Sequence, residues 1–178
     1  AFYPHLSPDC AARSHAKRDA RTDLTGRRAL LTGGRAKIGM YIALRLLRDG
    51  AHLTITTRFP RDAVRRFTAQ PDSADWLDRL KVVGIDLRDP AQVIGLADEV
   101  AAAGPLDILI NNAAQTVKRQ PGAYSAIADA ETQELPEGFI PELVTFGHTS
   151  DAHPASLVGS VSAHPALAKD SITADELT

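Results

Sequence analysis

Four short apolar runs, separated by stretches with helical periodicity, constrain the fold of this 178-residue chain most strongly. The runs are ALLT at 29–32, HLTIT at 52–56, KVVGID at 81–86 and LDILIN at 106–111. Strands this apolar are typical of a parallel sheet that helices cover on both faces. Because crossovers between parallel strands are right-handed, the pattern predicts a doubly wound α/β domain over residues 27–116.

Helical signals fill the intervals between the predicted strands. The first helix is predicted from Ile38 to Asp49, with Ile38, Ile42 and Leu46 on one face and Gly50 at its end. An apolar row at this spacing is typical of a helix that packs on a sheet.

The later helices are predicted from their first and last residues. PRDAVRRFTA begins with Pro60, which suits a first helical position, and Ser73 offers a cap to the segment SADWLDRL. Asp89 is predicted to cap a third helix, which Pro90 opens and Gly104 ends.

The two ends of the chain differ from the middle in charge and composition. Nineteen of the 20 Lys and Arg residues precede residue 121, whereas nine of the 22 Asp and Glu residues follow it. Residues 1–26 are predicted to form a basic arm with a helix that Asp9 caps. Residues 117–178 are acidic and rich in Pro, Gly, Ser and Ala, so we expect an irregular insertion or a poorly ordered tail.

Several classes of protein and site are disfavoured by composition. A single cysteine, Cys10, excludes an internal disulfide and a multi-cysteine zinc site. No stretch approaches the roughly 18 consecutive apolar residues of a membrane helix, and the N-terminus lacks signal-peptide features, so we expect a soluble, cytoplasmic protein. No metal ligands are predicted, because His148, His153 and His164 share no helical face. The basic arm lacks interleaved aromatic residues, which favours a solvated arm over a nucleic-acid-binding surface.

The stretch TGGRAKIG places Gly33, Gly34 and Gly39 between the first strand and the first helix. A turn in this place directs the unpaired N–H groups and the positive end of the helix into a crevice, where they suit a phosphate. A tight strand-to-helix connection without a ligand is the alternative interpretation. The other strand ends argue against it, because all four lie at the edge where open α/β sheets bind ligands.

The three remaining strand ends carry residues suited to a dinucleotide. The second strand ends in Thr57 and Arg58, which offer no carboxylate to a ribose diol but offer a cation to a 2′-phosphate. A solvated arginine is the alternative interpretation of Arg58. The third strand ends in Asp86 and Leu87, and the fourth ends in NNAA at 111–114.

The segment from about Asp23 to Thr116 resembles the short-chain dehydrogenase/reductase family. TGGRAKIG resembles the family's TGxxxGxG turn, IDLRD its adenine-contacting pair of an Asp and an apolar residue, and NNAA its NNAG motif. Lys37 stands where the family has its middle glycine, and Ala114 where NNAG has its last. The resemblance implies a Rossmann-type fold and hydride transfer between a nicotinamide cofactor and a small carbonyl or alcohol substrate.

The resemblance also implies which residues hold the cofactor, which Thr57 and Arg58 indicate to be NADP(H). The predicted cofactor-binding residues are Gly33, Gly34, Arg35, Lys37, Ile38, Gly39, Thr57, Arg58, Asp86, Leu87, Asn112, Ala113 and Ala114. Arg35 and Lys37 are expected to add positive potential to the crevice.

The family's catalytic Tyr-x-x-x-Lys has no counterpart in this sequence. Four residues after Tyr3, Tyr41 and Tyr124 come Ser7, Arg45 and Ala128. No catalytic residue is predicted, and Tyr41 is interpreted as core packing. We therefore expect the cofactor-binding half of a longer reductase that is inactive alone, or alternatively a non-catalytic module that binds or senses NADP(H). The sequence leaves a homo-oligomer open.

Overall fold

The structure is a computed structural model that describes residues 3–114 and 124–146. The strands are β1 (Arg28–Leu31), β2 (His52–Thr57), β3 (Leu80–Gly84), β4 (Ile108–Ile110) and β5 (Glu142–Thr145). The helices are α1 (Pro8–Asp19), α2 (Lys37–Arg48), α3 (Pro60–Thr68), α4 (Pro90–Ala102) and α5 (Ser125–Ala130). The strands form one sheet in the order β4-β1-β2-β3-β5, and every pairing is parallel.

Helices cover both faces of this sheet, which confirms the predicted doubly wound fold. Val82 belongs to the apolar cluster that β1, β2 and β3 share with α2 and α3. Its neighbour Val83 points to the opposite face, where it packs with Ile85 and with Leu96 of α4. Adjacent strand residues therefore serve two separate cores, which is why the apolar runs are continuous rather than alternating.

Helix α2 forms as predicted, and Ile42 and Leu46 of its predicted face pack against the core while only partly buried. Its buried residues are Gly39, Ala43, Leu44 and Leu47. The face is set by Gly39, since a Cβ atom there would lie only 2.0 Å from the carbonyl oxygen of Gly33. The predicted stripe is therefore wrong at its first position, because Ile38 is 71% exposed. Tyr41 is 77% exposed, so its interpretation as core packing is also wrong.

The N-terminal helix exists, but Asp9 does not cap it. Pro8 takes the first helical position, where a proline's missing N–H costs nothing. The cap is therefore Ser7, whose hydroxyl accepts a hydrogen bond from the N–H of Cys10 at 3.4 Å. None of the residues of α1 is buried.

The predicted cap at Ser73 is wrong, because residues 73–79 form two short 3₁₀ turns instead of an α-helix. The hydroxyl of Ser73 donates to the carbonyl oxygen of Thr68 at 3.2 Å. Trp76 follows, fully buried and edge-on to Phe67 with ring centroids 6.1 Å apart. Burial of the indole in the core thus overrides the local helical signal.

Helix α4 has the predicted boundaries. The carboxylate of Asp89 accepts the N–H of Ala91 at 3.0 Å, and Pro90 opens the helix. Gly104, at φ +106°, follows its last turn. The next strand, β4, is shorter than the predicted 106–111.

The acidic segment contributes more regular structure than expected. Strand β5 pairs with β3, with Val144 opposite Val83. Lys81 of β3 forms ion pairs with Glu99 of α4 and with Glu142, the latter at 2.7 Å. Irregular chain was expected from residue 117 on, but α5 and β5 are regular. Residues 117–123 and 147–178 of that segment lie outside the described residues.

No helix within residues 3–114 and 124–146 has both the length and the hydropathy that a membrane crossing needs.

Candidate nucleotide-binding site

A cleft of about 820 Å³ lies at the carboxyl ends of β1, β2, β3 and β4. Twelve of the thirteen residues predicted to bind the cofactor line it, and Gly34 is the exception. Six further residues line the cleft without having been predicted: Ala36, Thr56, Phe59, Ile85, Arg88 and Tyr124. The topology thus brings the four predicted strand ends together.

Two glycines of the turn hold it close to β2. Gly33, at φ +72°, donates its N–H to the carbonyl oxygen of Thr56 at 3.1 Å. Gly34 donates to the same oxygen at 3.2 Å, and a Cβ atom on it would lie 2.6 Å from the Cβ of Ile55. Gly34 therefore lies beneath the turn, where only a residue without a side chain fits.

The first turn of α2 faces the cleft with its positive end. Ala36 occupies the cap position and provides no side-chain hydrogen bond to the N–H groups that follow. Lys37 comes next, at φ +51°, in the left-handed region that favours glycine. This conformation explains why a glycine suits the position in the motif that TGGRAKIG resembles. The uncapped N–H groups and the helix dipole make this end suitable for an anion.

Asn112 connects the tip of β4 to the glycine turn. Its Nδ2 atom donates to the carbonyl oxygens of Thr32 and Gly33, at 3.1 and 3.2 Å. The backbone N–H groups of Asn112 and Ala113 both donate to the hydroxyl of Thr32, at 2.9 and 3.0 Å. The Asn112 side chain therefore holds the tip of β4 against the glycine turn.

The tip of β2 presents a cation against two aromatic rings. The hydroxyl of Thr57, which is buried, accepts the N–H of Phe59 at 3.0 Å and so turns the chain after the strand. The guanidinium carbon of Arg58 lies 5.6 Å from the ring centroid of Phe59 and 5.0 Å from that of Tyr124. These distances are within the range of cation–π attraction.

Positive charge exceeds negative charge along the cleft. The cationic lining residues are Arg35, Lys37, Arg58 and Arg88. Among the described residues that line the cleft, Asp86 is the only acid. The expected contribution of Arg35 is offset, because Arg35 forms an ion pair with Asp62. Its guanidinium carbon also lies 5.3 Å from the ring centroid of Phe59.

Asp86 is buried and stays ionised through its contacts with Arg88. Burial alone would raise its pKa, but hydrogen bonds from Arg88 outweigh burial, and the pKa of the Asp86 carboxyl is lowered. The Nε and backbone N–H groups of Arg88 both donate to Oδ1 of Asp86, at 2.9 and 3.0 Å. The nearby charge of Arg58 contributes in the same direction.

The six unpredicted lining residues differ in how far the sequence could indicate them. Arg88 follows Asp86 by two residues, and Phe59 follows Arg58 directly. Both could therefore have been predicted from the residues that follow the strands. Tyr124 carried no such signal, because only the fold brings residues 124–146 back to this edge of the sheet.

Within the described ranges, no group of three His, Cys, Asp or Glu side chains could hold a metal ion. Cys10 is exposed.

A parallel sheet with a glycine turn after its first strand and a cationic cleft across its strand ends is a doubly wound α/β domain of the dinucleotide-binding type. The family model described as short chain dehydrogenase matches residues 27–136. The chain belongs to this family.

Relatives with curated sequences share parts of the chain. Uncharacterized protein R665 of Acanthamoeba polyphaga mimivirus is 35% identical over 146 residues, which are 75% of this chain and 31% of that protein. A "Probable oxidoreductase" of Streptomyces antibioticus is 41% identical over 91 residues, 51% of this chain and 30% of that protein. The chain thus spans about a third of the length of these relatives.

Solved structures also match in part. A gluconate 5-dehydrogenase from Burkholderia cenocepacia J2315, in complex with NADP and tartrate, is 32% identical with a TM-score of 0.45. That match covers 60% of this chain and 43% of the other. The Pseudomonas aeruginosa RhlG/NADP active-site complex is 29% identical with a TM-score of 0.44, covering 60% of this chain and 42% of that one.

Proposed function

We propose that this chain is the cofactor-binding half of an NADP(H)-dependent short-chain oxidoreductase. The observation that carries the proposal is the tip of β2, where Arg58 lies against two aromatic rings and neither residue 57 nor residue 58 is acidic. In dinucleotide-binding sheets an acid at this place binds the two ribose hydroxyls, whereas a cation accommodates a 2′-phosphate. The "Probable oxidoreductase" relative from Streptomyces antibioticus supports the reaction class.

The other strand ends each suit a different part of the cofactor. The glycine turn and the first turn of α2 suit the pyrophosphate, since their N–H groups and Lys37 offer positive charge. The pair Asp86 and Leu87 suits the adenine, and the backbone at 112–114 suits the part of the dinucleotide nearest β4.

When bound, the nicotinamide would donate a hydride to a carbonyl substrate or accept one from an alcohol substrate. This chain would bind and orient the cofactor. An acid/base tyrosine with its lysine is not encoded within the 178 residues, so we propose that the chain has no turnover alone. The same lack of an acid/base pair favours, as a second candidate, a module that binds NADP(H) without catalysis. The cytoplasm remains our proposed location.

Titration of NADPH into the 178-residue protein tests whether the cleft binds a dinucleotide. Saturable one-to-one binding is expected, with a several-fold loss in Lys37→Glu, because the substitution reverses a charge on the cleft wall. Lys17→Glu is the matched control, since Lys17 is exposed on α1 and does not line the cleft. Absence of saturable binding, or equal losses in the two variants, would refute the proposal.

A further inference from the structure

Tyr124 belongs to the acidic segment, yet its ring lies at the tip of β2. The ring centroids of Tyr124 and Phe59 are 5.6 Å apart, with an angle of 37° between the ring planes. The guanidinium carbon of Arg58 lies within 5.6 Å of both centroids. Two rings from distant parts of the sequence therefore contact one cation.

The chain that carries Tyr124 is anchored to the first turn of α3. The carboxylate of Glu131 accepts the backbone N–H groups of Arg61 and Asp62, at 2.9 and 2.6 Å. The guanidinium of Arg61 donates to the carbonyl oxygen of Gln133 at 2.8 Å. Since α3 follows directly on β2, these bonds tie the segment to the same strand end that presents Arg58.

Contact with a ring affects an arginine differently from contact with a carboxylate. Arg35 and Arg88 each form an ion pair with an aspartate, Asp62 and Asp86 respectively, and an ion pair offsets the charge of the cation. A ring attracts the guanidinium through its quadrupole and restricts its rotamers, but it adds no negative charge. The charge of Asp86 also acts on Arg58, so the effect of the two rings is on where the guanidinium lies.

We propose that Tyr124 is a specificity-determining residue that positions the Arg58 guanidinium for the 2′-phosphate of NADP(H). The inference rests on the proposed function, because it presumes that this cleft holds the adenosine end of a dinucleotide. Tyr124 acts through Arg58, and its effect is greatest for ligands that carry the 2′-phosphate. Discrimination between the two nicotinamide cofactors then depends on the segment at 124–146 as well as on β2.

The test measures dissociation constants for adenosine 2′,5′-bisphosphate and adenosine 5′-monophosphate by calorimetry, using the 178-residue protein. These two probes differ only in the 2′-phosphate, so their affinity ratio reports that contact alone. Tyr124→Leu should lower the ratio about three- to tenfold, and Tyr124→Phe should keep it, because phenylalanine retains the ring. In an Arg58→Ala background, Tyr124→Leu should leave the ratio unchanged.

Tyr41→Leu is the control, since it removes an exposed tyrosine ring of α2 that does not line the cleft. Tyr124→Met replaces Tyr124→Leu if the latter does not fold. If the wild-type protein favours the bisphosphate and Tyr124→Leu leaves the affinity ratio unchanged, this inference is wrong. The proposed function is then unaffected. A wild-type protein that binds neither probe, or binds both equally, overturns the NADP assignment and this inference together.

Discussion

The side-chain amide of Asn112 and the carbonyl oxygen of Gly33 form a hydrogen bond of 3.2 Å between the tip of β4 and the glycine turn. A second bond from the same amide reaches Thr32 at 3.1 Å. We expect Asn112→Ala to lower the free energy of unfolding by about 1 to 3 kcal/mol, because two part-buried carbonyls lose their donor. Asn111→Ala, at the exposed neighbouring position, should change it by less than about 0.5 kcal/mol. Urea unfolding compares the two, and equal losses would contradict this role of Asn112.

Gly39 allows α2 to approach the glycine turn. A Cβ atom at Gly39 would lie 2.0 Å from the carbonyl oxygen of Gly33, which is a backbone atom and cannot rotate away. Gly39→Ala should therefore destabilise the protein by about 3 kcal/mol or more. Gly26→Ala is the comparison, because φ is +75° there but the space is open, so backbone strain alone should cost about 1 to 2 kcal/mol. Thermal unfolding that ranks Gly26→Ala as the more damaging change would refute the steric argument.

Asp49 connects the basic arm to the end of α2 and should make stability depend on acid pH. Burial alone would raise its pKa, but contacts with Arg21 and Arg45, the latter at 3.1 Å, lower the pKa of the Asp49 carboxyl. A lowered folded-state pKa contributes stability that is present above the unfolded value of about 3.9 and is lost as the pH falls through the folded value.

The unfolding midpoint in urea should therefore fall as the pH decreases below about 4. Asp49→Asn should lower stability at pH 7 by about 1 to 2 kcal/mol and reduce this acid dependence. Asp98→Asn, at an exposed position of α4, should reproduce the wild-type dependence. An unaltered acid dependence in Asp49→Asn would show that other carboxylates account for it.

The 178-residue protein should not oxidise NADPH in the presence of a panel of ketones and aldehydes. No tyrosine in the sequence is followed four residues later by a lysine, so no such pair is available to transfer the proton that accompanies the hydride. The measurement is the loss of reduced-nicotinamide absorbance with time. Turnover that Arg58→Ala weakens would contradict this prediction, because the activity would then belong to this cleft.

The sheet and most of the cleft could be predicted from sequence because their signals are local. Apolar runs of four to six residues indicate the first four strands, and each strand tip follows its run directly. Periodicity placed Ile42 and Leu46 correctly against the core. It missed the fully buried residues of α2, because their face depends on the contact between Gly39 and Gly33. The cap at Ser7 was missed because Pro8 and Asp9 both suit the first turn of a helix.

The path of the acidic segment could not be predicted, since it depends on contacts between distant residues. Strand β5 pairs with β3 over four residues, but the sequence around it lacks the alternation of strand and helix signals that marks the first four strands. Glu131 docks on α3 across about 70 residues of sequence, and no local pattern indicates that bond. The position of Tyr124 in the cleft and its contact with Arg58 were therefore not predicted.

The affinities of NADPH and NADH for the 178-residue protein, measured by calorimetry at low salt where the phosphate contact is least screened, test the central claim most directly. A charge-assisted contact between Arg58 and the 2′-phosphate should make NADPH bind about ten- to a hundredfold more tightly. Arg58→Ala should remove most of this preference, and Thr57→Asp combined with Arg58→Ala should reverse it. Arg13→Ala, which removes an exposed arginine of the arm, should leave it intact. Equal affinities of the unmutated protein for NADPH and NADH would contradict the assignment of this cleft to NADP(H).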